Sequence, residues 1–415
     1  MSKKPKNKGE YFIVCICFLI GAIPYCISQN LQPQMQVPVS NSGIISSVGF
    51  TMIYLTGTIP VLFNGLTAKI YDKYKIKYIY VVGLILSAIG FSSFGLAKNA
   101  IMFNISAMIT QLGAVLVVGL SLPVIIGRWF PYKGRGMALG IALSGGSVGN
   151  IFLQPLVVHL LSQYGWQRTY ILLGTVIAIV GIPIALFFIR DPKKDEIKVE
   201  QVDSNNNTQK VNFQGLSNEE LLKNKYFITF CIASLLICFA GVALATQSIP
   251  VLTIKGLTDT QVGLAGSVYG IACLIGNVGG GKLLDKLGTF KAMIVSCIGV
   301  TAGLFIMIFM PKGSLIGFAI PLFAGLVIFT LTSAPAFTPV DVFGTKDSTK
   351  KFALVGIFYA VGSALSPLLF TLISNKMSVS LAAVVFLIIG LIGYLFMGYS
   401  IIEYRKSVNK RTQLT

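Results

Sequence analysis

Asn150 and Gln154 stand one helical turn apart in an otherwise apolar stretch, so on a helix the two amides share a face. Tyr25, Gln29, Tyr54, Gln111, Gln247, Tyr269, Asn277 and Tyr359 are further neutral polar or aromatic groups set in long apolar runs. As a set, amides and phenols in such surroundings suit a small polar or amphipathic solute held by hydrogen bonds between aromatic walls. Any single one can instead be an interhelical hydrogen bond, the commoner use of a buried amide in lipid. No Asp, Glu, Lys or Arg falls inside these runs, so a carboxylate proton relay has no carrier. His159 is the one histidine and the candidate for coupling near neutral pH, with a packed or solvated ring as the alternative. Asp341 ends a run; it could be a coupling acid, or serve a helix end or a loop ion pair.

The ionisable groups gather in turns, and two turns carry nearly the same string. AKIYDKYKIK occupies 68–77 and GKLLDKLGTFK occupies 281–291, which sets Asp72 and Asp285 about half a chain apart. Each turn follows one long apolar segment and precedes another, the pattern of a duplicated membrane protein.

The elements that position these residues follow from composition. The 415 residues are 54% hydrophobic and 11% charged, outside the range of soluble domains. A helix crossing the hydrocarbon needs about 20 apolar residues. Twelve spans of that order lie near 11–29, 44–67, 78–97, 101–126, 137–161, 170–189, 227–251, 262–281, 292–311, 315–340, 352–374 and 379–402. The expected fold class is therefore an all-α membrane protein of twelve transmembrane helices.

The net charge of +19 could suggest a nucleic-acid partner, but the cations are placed otherwise. Of 33 lysines and arginines, only Lys98, Arg168, Lys255, Lys312 and Lys376 fall on one side of the membrane. The positive-inside rule then puts both termini and the basic loops in the cytoplasm, and no long soluble basic surface remains for nucleic acid. The seven cysteines all lie in apolar spans and read as small packing residues, neither a disulfide framework nor a metal site. The basic N-terminus and the apolar run after it lack a small-residue cleavage site, so the run reads as a retained first span.

Tyr11 and Phe227 open the first and seventh spans, separated by nearly the same interval as the two aspartates. The expected organisation is a tail at 1–10, a six-helix half at 11–189, a loop at 190–226, a second half at 227–402 and a tail at 403–415. The loop is rich in Lys, Asp and Asn and reads as a flexible polar linker. Ser217 stands three residues before Glu220, a capping-box spacing for a short interfacial helix. Glycines crowd spans five and eight, where small residues allow close helix approach; static packing and sliding between the halves are both open. Prolines interrupt many spans, among them Pro24, Pro123, Pro155 and Pro183, and the freed carbonyls are tolerated beside protein or a polar cavity.

The two turns resemble the G-x-x-x-D-R/K-x-G-x-R/K motif of the major facilitator superfamily, found between helices two and three and between eight and nine. Gly281, Asp285, Lys286, Gly288 and, one residue late, Lys291 carry the second copy; in the first, Ala68 and Lys75 replace both glycines, leaving Asp72, Lys73 and Lys77. GRWFPYKGRGMALGIALSGGSVGN (127–150) is similar to the helix four to five signature of the oxalate/formate antiporter and monocarboxylate porter group. PVDVFGTKDSTKKFALVGIFYAVGSALSP (339–367) resembles that group's D-x-F-G loop and helix eleven, and ELLKNKYFITF (220–230) its entry to helix seven. The resemblance implies the two-half, twelve-helix MFS fold and secondary transport. Oxalate transporters of the group hold carboxylates with cations on helices eight and eleven, whereas Asn277 and Gly362 occupy the aligned positions here.

From this resemblance follows the expectation of a secondary transporter for a small organic solute, a monocarboxylate or related organic anion first, in a plasma membrane of bacterial type. The absence of a membrane carboxylate favours exchange or facilitated transport over acid-relay proton symport. Asp72, Asp285, Lys73, Arg128, Gly281, Lys286 and Asp341 are assigned to a cytoplasmic gate, where a carboxylate can sit at the N-terminus of a helix from the opposite half and the cations can pair with acids. The alternative is that these lysines simply hold the loops inside. Partners are the substrate and the bilayer, the chain is expected to act as a monomer, and no cofactor is expected. A multidrug exporter ranks below, since cationic drugs commonly need an intramembrane acid. A non-transporting sensor ranks lower still, and an intramembrane enzyme lacks a nucleophile with a neighbouring base.

Overall fold

The computed structural model describes residues 8–62, 70–119, 121–130, 135–192, 216, 218–344 and 348–412. Ala68, Ser217 and the side chain of Asp72 lie outside the described residues, as does most of the 190–226 loop. Among the described residues nine helices are long and apolar enough to cross a membrane. Two of these runs are pairs of spans, because the chain turns at Gly165 (φ 71°, ψ 169°) and at Gly288 (φ 71°, ψ 174°). Together with the shorter Ser47–Thr56 helix, this accounts for the twelve expected segments, and the fold is the all-α, twelve-helix one.

Side-chain caps start several helices. Ser46 Oγ accepts from the Gly49 amide at 3.1 Å, Asn99 Oδ1 from Met102 at 3.0 Å, and Asn224 Oδ1 from Tyr226 at 2.9 Å. Each meets an amide that the helix itself leaves unbonded.

The proline kinks take a particular form. Pro24 lies inside a π-helical turn at Gly21–Tyr25, and the π turns Val115–Gly119 and Ile177–Gly181 stand just ahead of Pro123 and Pro183. A proline leaves the carbonyl four residues earlier without its donor and presses its ring against it, so the helix widens there.

Several spans depart from their expected limits; the twelfth helix, for one, is Val379–Thr412 and runs on past the expected end at 402. The expected first span ends at 29, but after Leu31 helix resumes over Gln32–Asn41. Pro33 sits in its first turn, where no amide donor is needed, and the buried Gln32, Met35, Gln36 and Val39 recur at helical spacing. The expected eleventh span starts at 352, but its helix is Ser348–Lys376. Lys351 is thereby part of the helix and fully buried, its Nζ donating to the carbonyls of Phe343 (2.9 Å) and Gly344 (2.7 Å). It reaches the C-terminal end of the preceding helix, where carbonyls have no intrahelical partner.

The chain divides into two compact units. The first is Met1–Asp203 with Asp259–Ile271, and the second is Ser204–Thr258 with Ala272–Thr415. In the first unit, Phe94 and Phe103 pack beside Tyr170 and Trp166, with Phe94 stacked on Tyr170 at 5.0 Å. In the second, Phe343 gathers Phe227 (5.2 Å), Phe230 (5.3 Å) and Tyr404 (4.7 Å) at the end bearing the basic loops. Bundles in lipid are held by packing of this sort, since the solvent is as apolar as the core.

Candidate functional site

The two amides on span five lie at the centre of a buried network in the first unit. Asn150 and Gln154 are 3% and 2% exposed, and Gln154 Nε2 reaches Asn150 Oδ1 at 3.4 Å. Span one supplies the other partners. Cys26 Sγ donates to Asn150 Oδ1 at 3.2 Å, the Asn30 carbonyl accepts from Gln154 Nε2 at 3.1 Å, and Asn30 Nδ2 reaches the Gly146 carbonyl at 3.5 Å. Gln154 Oε1 is buried without a hydrogen-bond partner among the described residues, and so is the hydroxyl of Tyr54. A buried acceptor left unpaired costs on the order of 1–3 kcal/mol, which makes it a strong draw for a donor.

Span eight lays bare backbone over these amides. A Cβ on Gly266 would come within 2.6 Å of Gln154 Cβ, and one on Gly270 within 2.9 Å of Asn150 Cβ. Ser267 Oγ donates to the Ile151 carbonyl at 2.7 Å, tying the same two helices.

The second unit repeats part of this arrangement. Cys238 Sγ bonds the Tyr359 carbonyl at 3.4 Å and lies 3.3 Å from Ser363 Oγ. Asn150 and Ser363 are separated by the same interval as the two aspartates, as are Gly149 and Gly362, and the Cys26–Cys238 interval is one position shorter. The cysteines expected to be packing residues therefore include two that bond across helices. All seven are free thiols. Their place in the repeat was the signal that could have marked them.

The remaining residues singled out for solute binding are not drawn into one cluster. Gln29 Nε2 turns back to the Ser28 carbonyl at 3.2 Å. Tyr25 and Gln111 are half-buried, as is Tyr269 on span eight, and Gln247 is buried on span seven. Asn277 Oδ1 accepts from Thr332 Oγ1 at 2.7 Å. Gly362 faces span seven so closely that a Cβ would lie 2.9 Å from Cys238 Cβ. Neither position aligned with a carboxylate-binding cation thus offers a charge.

The gate residues sort by turn. Arg128 Nη1 pairs with Asp191 Oδ1 at 2.6 Å, and the Trp129 indole donates to the Arg190 carbonyl at 3.0 Å, both within the first unit. Asp341 Oδ2 accepts from the Thr289 amide at 3.0 Å, capping span nine just past Gly288. The carboxylate seen at a helix N-terminus therefore serves a helix of its own unit. Asp285 and Lys286 are exposed and make no ion pair among the described residues, and Gly281 has open space where a Cβ would stand. Lys73 is exposed, with its Nζ 5.6 Å from the Tyr74 ring. His159 is exposed, and its carbonyl accepts from Ser162 Oγ at 2.8 Å.

Comparison with known proteins agrees with this architecture. The family model described as Major Facilitator Superfamily matches residues 11–346. The chain is 26% identical over 305 residues to the oxalate:formate antiporter of Oxalobacter formigenes, covering 71% of this chain and 68% of that one. It is 29% identical over 341 residues to the multidrug resistance protein MdtG of Proteus mirabilis, with 75% of each chain covered. To monocarboxylate transporter 12 of Xenopus laevis it is 24% identical over 308 residues, covering 69% and 66%. A crystal structure of a bacterial homologue of the human lysosomal transporter Spinster, inward-facing and unoccupied, superimposes with a TM-score of 0.70 at 14% identity, covering 98% and 99% of the chains.

Proposed function

Because the chain belongs to the major facilitator superfamily, we propose that it moves a small organic solute, a monocarboxylate or related organic anion first, by alternating access of two six-helix halves. In this reading both termini and the basic loops face the cytoplasm of a cell whose plasma membrane the chain crosses as a monomer. The halves are 11–189 and 227–402, joined by the 190–226 loop.

The observation that carries the reading is the buried amide pair on span five, with the unpaired acceptor Gln154 Oε1. Asn150 Nδ2 and the Tyr54 hydroxyl can donate to a carboxylate and Gln154 Oε1 can accept from a substrate hydroxyl, all without a protein charge, and Tyr25, Gln29, Gln111, Gln247, Tyr269, Asn277 and Tyr359 are the further candidates for solute contact. Asp72, Lys73, Arg128, Gly281, Asp285, Lys286 and Asp341 belong to the cytoplasmic gate. With no carboxylate in the spans, transport runs by exchange or facilitated movement, and His159 is the one side chain left for proton coupling.

A second reading, export of an amphipathic neutral solute, is favoured by the missing cations at Asn277 and Gly362. Uptake into proteoliposomes separates the two. Saturable uptake of short monocarboxylates, with oxalate poor and Gln154→Ala reduced at least tenfold, is the expected result. Movement of amphipathic drugs in place of acids would turn the assignment to the second reading. Uptake that requires a proton gradient and survives loss of His159 and Asp341 would contradict the coupling argument.

A further inference from the structure

The first turn carries tyrosines that the second lacks, and its lysines stand closer together. Between residues 70 and 80 it carries Lys73, Lys75 and Lys77 together with Tyr71, Tyr74, Tyr78 and Tyr80, whereas Lys282, Lys286 and Lys291 of the second turn have Phe290 as the one aromatic among them. Tyr74 and Tyr78 are 52% and 50% exposed. Each ring lies under its neighbour's ammonium, Lys73 Nζ at 5.6 Å from Tyr74 and Lys77 Nζ at 5.0 Å from Tyr78. Among the described residues none of these three lysines makes an ion pair with an acid.

Tyr78 also tops a continuous exposed stripe. Val82, Ile85 and Ile89 follow it at helical spacing on the Ile76–Phe94 helix, all exposed and all apolar. In a membrane protein such a stripe is a face for acyl chains. The exposed tyrosine and the lysines therefore stand where that face meets the headgroups, the level at which aromatic rings and cations anchor.

From this placement we infer that the turn between spans two and three docks an anionic phospholipid, its phosphate headgroup among Lys73, Lys75 and Lys77 and its acyl chain along Tyr78, Val82, Ile85 and Ile89. The tyrosine rings hold two of the ammonium groups at the membrane edge by cation–π attraction. The anionic cytoplasmic leaflet supplies the complementary charge. This inference rests on the cytoplasmic placement of the turn proposed above, but it requires no transport.

Native mass spectrometry of the full chain, released from mixed phosphatidylglycerol and phosphatidylcholine nanodiscs, reads the retained lipid directly. Wild type should keep phosphatidylglycerol in preference to phosphatidylcholine. Lys73→Gln/Lys75→Gln/Lys77→Gln should weaken that preference by roughly a hundredfold, about fivefold for each lysine. Tyr74→Leu/Tyr78→Leu keeps the apolar face and should weaken it several-fold, and Lys282→Gln/Lys286→Gln/Lys291→Gln in the second turn should change it less than threefold. Equal loss from the two lysine triples would overturn the proposal, leaving a diffuse charge effect. Displacement of the lipid by 10-fold excess inorganic phosphate would overturn it in favour of a free-anion site. Failure of monocarboxylate uptake would leave this retention pattern untouched, so the two readings fail separately.

Discussion

The same turn is built in two ways in the two halves. In the second, the chain leaves span eight, makes a one-residue corner at Gly288 and enters span nine with the Thr289 amide capped by Asp341. In the first, Lys75 stands at the repeat position of Gly288 with φ −64° and ψ 134°, and makes no side-chain cap. Arg128 stands at the repeat position of Asp341, and it pairs with Asp191 instead. A glycine is needed where the backbone takes a positive φ, and that need is absent once Lys75 follows an ordinary extended path; the helix it opens starts without the side-chain cap that Asp341 gives span nine. The trailing glycine of the first copy is therefore missing for a conformational reason, and Lys75 stands in its place.

The comparison can be broken most forcefully at the helix contacts beneath the turns. A Cβ on Gly149 would overlap the Ala22 carbonyl oxygen, whereas one on its repeat partner Gly362 would meet Cys238 Cβ at 2.9 Å, a much smaller overlap. Gly149→Ala should cost about 3 kcal/mol and Gly362→Ala about 1 kcal/mol, read as a lower midpoint of thermal unfolding in one detergent. Equal losses would mean that the span one to five and span seven to eleven contacts are the same after all.

At the turns themselves the effect is smaller. Gly288→Ala places a side chain in a region open essentially to glycine alone and should cost about 2 kcal/mol. Lys75→Ala, in an ordinary extended conformation, should be within about 0.5 kcal/mol of wild type. The caps come last. Asp341→Ala should cost about 1 kcal/mol, Asp341→Asn much less because an amide oxygen still caps, and Arg128→Ala under about 1 kcal/mol because its ion pair is partly solvated. If Asp341→Asn is as damaging as Asp341→Ala, the carboxylate does more than cap Thr289.

How far these features are readable in the sequence depends on how far apart their parts lie. The spans, the repeat and the turns are local patterns, and apolar length alone locates most of the helices to within a turn or so at their ends. The helix over Gln32–Asn41 is hidden because its buried face is largely amide, so apolar periodicity stops at residue 31. Lys351 is hidden for the opposite reason: Lys350 and Lys351 read as loop, and the two carbonyls that accept its protons belong to the end of the preceding helix. Asp341 can be assigned to a helix end, but its partner Thr289 lies 52 positions earlier. Asn150 and Gln154 are legible as a pair from their spacing, whereas Cys26 and Asn30, far away in the chain, carry no local sign of belonging with them.

The most direct test of the asymmetry is monocarboxylate uptake by Asp72→Asn and Asp285→Asn proteins at matched incorporation in proteoliposomes. The second turn is the one whose corner and cap are fixed, so Asp285→Asn should lose the larger share of uptake. Equal loss in the two variants would contradict that claim and leave only the duplication.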